Sequence, residues 1–235
     1  MKKFWGFYKN ESFSVGCSGR TVYVYDNKGN ELKKFRDFPY AYTATFKPNS
    51  NVIAVKSTEG HIGFYDLETL SLIKKDTVTR IGAQDEGFSF STDGNYFYNI
   101  EKPISSTKTQ LAIYETENFT KINTLFADDE KMVLDSIEFD PITNKCYILG
   151  FMRDCDYGVF DYGFVAILNQ EKQIITDIHM INQDTYDYLE AYKHWEQCGF
   201  TEKSLNFNNI IKKNNEIKST SIKEVHSNST KNLYI

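Results

Sequence analysis

Apolar and polar positions alternate in short bursts along most of the chain, and the bursts pair up around polar turns. Thr21–Asp26 (TVYVYD) leads through a turn at Asn27–Asn30 into Glu31–Phe35 (ELKKF). His61–Asp66 (HIGFYD) leads through Leu67–Leu70 into Ser71–Lys75 (SLIKK). Gln110–Glu115 (QLAIYE) leads through Thr116–Asn118 into Phe119–Ile122, and a weaker copy, Phe164–Asn169 (FVAILN), leads through Gln170–Lys172 into Gln173–Ile175. Period-two alternation over five or six residues, bounded by Asn, Asp and Gly, predicts antiparallel strands joined by tight turns.

A second pattern precedes the first in each unit. Phe46-Lys47-Pro48-Asn49-Ser50-Asn51 comes before Val52–Val55, Phe90-Ser91-Thr92-Asp93-Gly94-Asn95 before Tyr96–Tyr98, and Phe139-Asp140-Pro141-Ile142-Thr143-Asn144 before Cys146–Leu149. A degenerate copy starts at Phe7 and precedes Phe13–Val15. The expectation is a strand ending in a buried Phe, a polar turn, and an antiparallel return. Phe7, Phe46, Phe90 and Phe139 are separated by steps of 39, 44 and 49 residues; Tyr25, Tyr65, Tyr114 and Leu168 by 40, 49 and 54. Each period holds four short strands. One such sheet cannot bury both faces alone, whereas sheets stacked radially cover one another.

These units resemble blades of the WD40-like β-propeller family. Gly60-His61-Ile62-Gly63-Phe64-Tyr65-Asp66 is similar to that family's glycine, alternating strand and aromatic-Asp ending, with Tyr for Trp; Phe90-Ser91-Thr92-Asp93-Gly94-Asn95 is similar to its Phe-Ser-Pro-Asp-Gly turn, with Thr92 for Pro. The resemblance covers residues 4 to 180. It implies an all-β fold, a small propeller-like array of four-stranded antiparallel blades. It departs from the family in having no Gly-His pair ahead of an innermost strand, so the hydrogen-bond network through that His is not expected. The predicted organisation is four blades over 1–181 and, over 182–235, a divergent fifth blade or cap of the same domain. Within that last segment Tyr186–Glu196 reads as a helix near 185–197, with Tyr188, Leu189, Tyr192 and Trp195 on one face.

Composition agrees with strands: 15% of the residues are aromatic, with 18 Phe and 16 Tyr. The net charge of −5 and the scattering of lysines as pairs argue against nucleic acid as a partner. The N-terminal run Phe4–Tyr8 is too short for a signal-peptide core, and nothing approaches a membrane-spanning stretch. Four widely spaced cysteines fit a reducing, cytoplasmic setting.

Candidate chemistry is sparse. No P-loop, dinucleotide fingerprint or nucleophile elbow is present. Asp154, Asp156 and Asp161 lack the ligand spacing of a calcium loop, and no cysteine pair has zinc spacing, so neither metal nor cofactor is expected. The lengthened loops joining second to third strands, together with the links between blades, form one expected binding face. Its candidate residues are Asp128, Asp129, Asp154, Asp156, Tyr157 and Tyr162, joined by Tyr188, Tyr192 and Trp195 of the C-terminal segment. The function expected is non-catalytic binding of a protein partner, a basic one suiting the acidic chain, as an inhibitor or immunity-type protein would do. The alternatives are a carbohydrate-active enzyme using loop carboxylates and a small-ligand or metal sensor.

Overall fold

A computed structural model describes residues 3–79, 87–104, 106, 108–127, 131–140, 145–152 and 162–182. The chain is all-β there. The first sheet holds β1 (Gly6–Lys9), β2 (Phe13–Cys17), β3 (Val22–Asp26) and β4 (Glu31–Phe35); the second holds β5 (Ala41–Phe46), β6 (Val52–Ser57), β7 (His61–Asp66) and β8 (Ser71–Thr77). The third holds β9 (Phe88–Phe90), β10 (Tyr96–Glu101), β11 (Gln110–Glu115) and β12 (Lys121–Leu125); the fourth holds β13 (Met132–Asp140), β14 (Lys145–Met152), β15 (Tyr162–Asn169) and β16 (Ile174–Asn182). Every sheet is an antiparallel meander in sequence order. The predicted helix near 185–197 and the fifth unit lie outside the described residues.

The sheets stack face to face over three cores. The first and second sheets bury Val15, Val24, Phe35, Ile53, Val55 and Tyr65. The second and third enclose Phe64, Phe90, Phe97, Tyr114 and Phe119, and the third and fourth enclose Tyr98, Ile113, Leu134, Ile148 and Phe164. Among the described residues no such core joins the fourth sheet to the first. Strands β6, β7, β10 and β11 are therefore buried on both faces, which is why they read as nearly continuous apolar runs. The outermost strands β4, β8 and β12 are largely exposed, and Lys33, Lys34, Lys74, Lys75 and Lys121 line edges that would otherwise invite further pairing.

The repeat has a physical cause in the turn between third and fourth strands. The last residue of each third strand caps that turn with its side chain. Asp26 Oδ1 accepts from the N–H groups of Lys28 (2.9 Å) and Asn30 (2.8 Å); Asp66 Oδ1 accepts from Glu68 (2.8 Å). Glu115 Oε2 accepts from Glu117 (2.9 Å), and Asn169 Oδ1 from Glu171 (3.0 Å) and Lys172 (2.9 Å). A β-bulge falls at one place in all four hairpins, before Tyr25, Tyr65, Tyr114 and Leu168.

Each of these turns also needs a left-handed residue: Gly29 (φ 86°), Leu70 (51°), Phe119 (56°) and Gln173 (55°). For a non-glycine residue this costs roughly 1–3 kcal/mol. The last three offset it by docking onto the preceding sheet. Leu70 packs on the first core; Phe119 stacks on Phe64 with ring centroids 3.9 Å apart; Gln173 Nε2 donates to the Tyr98 hydroxyl at 3.2 Å. The first sheet has glycine at this position, and a Cβ there would meet nothing within 4 Å. Phe119 and Gln173, expected to open the fourth strands, belong to the turns instead, and those strands start at Lys121 and Ile174.

Register corrects one expectation. Phe46, Phe90 and Phe139 pair with Ile53, Phe97 and Cys146, but the corresponding pair in the first sheet is Lys9 with Ser14. The first hairpin is shorter, so Phe7 lies two positions from the place assigned to it by the repeat. Of the four, Phe90 is buried, Phe46 and Phe139 are half-buried, and Phe7 is exposed.

Candidate functional site

Strand β1, β5, β9 or β13 comes first in each sheet and pairs on one side only, which leaves its other edge for the space between the sheets. A cavity of about 830 Å³ lies there, with wall residues from all four of these strands. Tyr8 on β1 and Thr43 on β5 are joined across it by a 2.8 Å hydroxyl–hydroxyl bond. Ser136, Ile137 and Glu138 enter the wall from β13, and Phe88 from β9.

The meander fixes two ends. Hairpins between first and second strands and between third and fourth strands lie at one, the turn end. Loops between second and third strands and the links between sheets lie at the other, the loop end. Trp5, Tyr40 and Gly87, which precede β1, β5 and β9, and Gly19 and Thr58 in second-to-third loops, all line the cavity, so it opens at the loop end. Large apolar side chains gather there. Trp5 is 81% exposed, Ile104 of the β10–β11 loop 72%, Phe7 54% and Tyr40 50%. Tyr40 is also held at φ 53°.

The expected binding residues are distributed otherwise. Asp128, Asp129, Asp154, Asp156, Tyr157, Tyr188, Tyr192 and Trp195 lie outside the described residues. Tyr162 opens β15 at the loop end, its backbone paired with Asn182. Sequence reasoning missed Trp5, Phe7 and Tyr40. The aromatic run Phe4-Trp5-Gly6-Phe7-Tyr8 carries the signal, but it also fits the reading of a degenerate repeat and of a short apolar leader.

Behind the cavity wall, buried polar groups pin the second and third sheets. Lys56 is buried, donates from Nζ to the Ile100 carbonyl at 3.0 Å and lies 5.7 Å from the Phe88 ring centroid. Glu101, 1% exposed, pairs with Lys121 Nζ at 2.7 Å and accepts from Gln110 Nε2 at 3.1 Å and from the Tyr114 hydroxyl. Burial, and then the Glu101 carboxylate, push the Tyr114 phenol up, so it stays a donor. Tyr65, one repeat earlier, donates to Asp37 at 3.2 Å, and burial followed by that carboxylate raises its phenol likewise. Third-strand tyrosines thus bond to acids in both sheets, Tyr65 to the link that precedes its own sheet and Tyr114 to β10 within the third sheet.

Burial pushes the Cys17 thiol up to about 12 and raises that of Cys146 as well, so both stay protonated. Among the described residues no group of three or more His, Cys, Asp or Glu side chains is placed to hold a metal, and no helix is long and apolar enough to cross a membrane. Glu138 is the one carboxylate among the described wall residues, whereas glycoside hydrolysis uses two.

No protein-family model matches the chain, and no curated protein matches it. Solved structures do. The fold is propeller-like. Hydrazine synthase from Kuenenia stuttgartiensis aligns with 78% of this chain at a TM-score of 0.59 and 13% identity. The chain spans about half of that protein's length, 50%. At this identity the likeness is one of fold alone. With 718 solved chains matching, the scaffold is widely used, and the likeness carries no chemistry.

Proposed function

We propose that this chain is a non-catalytic interaction protein of the WD40-like kind that holds a protein partner against its loop end. The observation that carries the reading is that exposed Trp5, Phe7 and Tyr40 surround the cavity and exposed Ile104 lies at the same end of the array. Large aromatic side chains on a fixed frame are the usual anchors of protein interfaces, because they bury area with little loss of side-chain freedom. The net charge of −5 suits a basic partner. Covering that partner sterically is the mode of action of an inhibitor or immunity-type protein, and the protonated, unpaired thiols of Cys17 and Cys146 fit a reducing cytoplasm.

Amine cross-linking of the full chain to its captured partner, mapped by mass spectrometry, tests the reading. Links concentrated on Lys102 and Lys108 of the β10–β11 loop are the expected result. Links concentrated on Lys28 and Lys172, in turns at the opposite end, would overturn it.

A further inference from the structure

The cavity wall has a composition different from its rim. Below Trp5 and Tyr40 it carries a series of hydroxyls: Tyr8 and Thr43, bonded to each other, with Thr45 on the same strand as Thr43, and Ser136 across the cavity. Ser136 is 1% exposed, its Oγ closed off from the cavity and without a hydrogen-bond partner among the described residues. The cavity, about 830 Å³, falls within the size range of small-molecule sites.

The lining selects among ligand chemistries. An anion such as a phosphate needs cationic groups, and the described wall residues include no Lys or Arg; Lys56 stands behind Phe88. A quaternary ammonium would be drawn to the aromatic faces, yet it accepts no hydrogen bond and would leave the hydroxyl donors unmatched. A saccharide satisfies both parts. Its hydroxyls donate and accept, as those of Thr and Ser do, and the C–H face of its ring covers an aromatic side chain.

We propose that the central cavity is a binding site for a neutral saccharide of one or two rings, its apolar face against the Trp5–Tyr40 rim and its hydroxyls against Thr45 and Glu138. The site shares Trp5 and Tyr40 with the proposed docking surface, but its test uses no protein partner, so either reading can fail without the other. Glu138 acts as a hydrogen-bond acceptor, with no bond cleavage.

Titration calorimetry of the full chain with maltose, cellobiose and N,N′-diacetylchitobiose tests this, with choline and inorganic phosphate as competing chemistries. Saturable binding of at least one disaccharide is expected, weakened about tenfold by Thr45→Val, the loss expected for removing one hydrogen bond. Thr45→Ser, which keeps the hydroxyl, is expected to bind as the parent does, and circular dichroism of each variant separates lost binding from lost folding. No saturation by any of the three sugars up to about 50 mM, a concentration that detects even weak sites, would overturn the proposal. So would binding indifferent to Thr45→Val, or saturable binding of choline or phosphate in place of the sugars.

Discussion

At the turn end of the array, four sheets use one arrangement. A carboxylate or amide at the end of the third strand caps the next turn, a bulge sets the twist, and a left-handed residue follows. Among the described residues the loop end repeats no such arrangement. The link before β5 puts Tyr40 in a left-handed conformation, the β6–β7 loop is a short turn closed by Gly60, and the β10–β11 loop carries an exposed Ile104. The turn end is shaped by the need to stack sheets, which is the same problem four times. The loop end is free of that requirement, and there the chain spends exposed aromatic surface that stability does not ask for.

The sharpest way to break this contrast is to remove the same side chain in both regions. Phe64 is fully buried between the second and third sheets, stacked on Phe119 and edge-on to Phe97 at 5.1 Å. Phe64→Ala is expected to cost about 3–5 kcal/mol in chemical denaturation. Phe7→Ala, in the cavity wall, is expected to cost less than about 1 kcal/mol. Equal losses would mean that the cavity wall is a structural core.

A smaller effect sharpens the turn end. Asp66→Ala removes the acceptor for the Glu68 N–H and is expected to cost about 1 kcal/mol, read as a lower denaturation midpoint at unchanged m-value. Asp66→Asn, which keeps an acceptor, is expected to recover most of it.

The smallest effects come from pH, and they separate the ends by window. His61, at the loop end of β7, has its pKa lowered from 6.5 by burial and then by the Lys75 ammonium. The fold therefore favours the neutral ring. Its contribution is complete above pH 6.5 and falls as pH drops from there through the depressed value. His61→Gln is expected to flatten the stability profile as pH falls from 6.5 through the depressed value, modestly because the ring is partly in solvent. At the turn end, Asp93 is held low by its bond from Ser91 and then by those from Asn95. Its contribution is present above the ordinary carboxylate range and is lost only as pH falls through the depressed value, so Asp93→Ala is expected to change the profile only in acid.

The same contrast explains what could be read from the residues. The spacing of Tyr25, Tyr65, Tyr114 and Leu168 was legible because each precedes a turn whose capping chemistry leaves a fixed signature. The first hairpin slipped by two residues because it is shorter, and Phe7 imitated the pattern that Lys9 occupies in register. Phe119 and Gln173 were read into strands because nothing local announces a left-handed residue that docks onto the previous sheet. The cavity was illegible for a related reason: Trp5, Tyr40, Thr45 and Ser136 come from two strands, one link and the segment before β1, and only the stacking of sheets brings them together. Lys56 and Glu101 were hidden within apolar strands for which tertiary partners alone account.

The central claim is that work is done at the loop end, and matched variants test it directly. One variant carries Trp5→Ala, Tyr40→Ala and Ile104→Ser; the other carries Lys28→Ala, Glu68→Ala and Glu117→Ala in turns at the opposite end. Both are expected to melt near the parent, since exposed substitutions shift stability by about 0.5 kcal/mol or less. Affinity for the purified partner, by calorimetry, should fall at least tenfold, about 1.4 kcal/mol, in the first variant and hold in the second. Loss of affinity in the second with retention in the first would contradict the account.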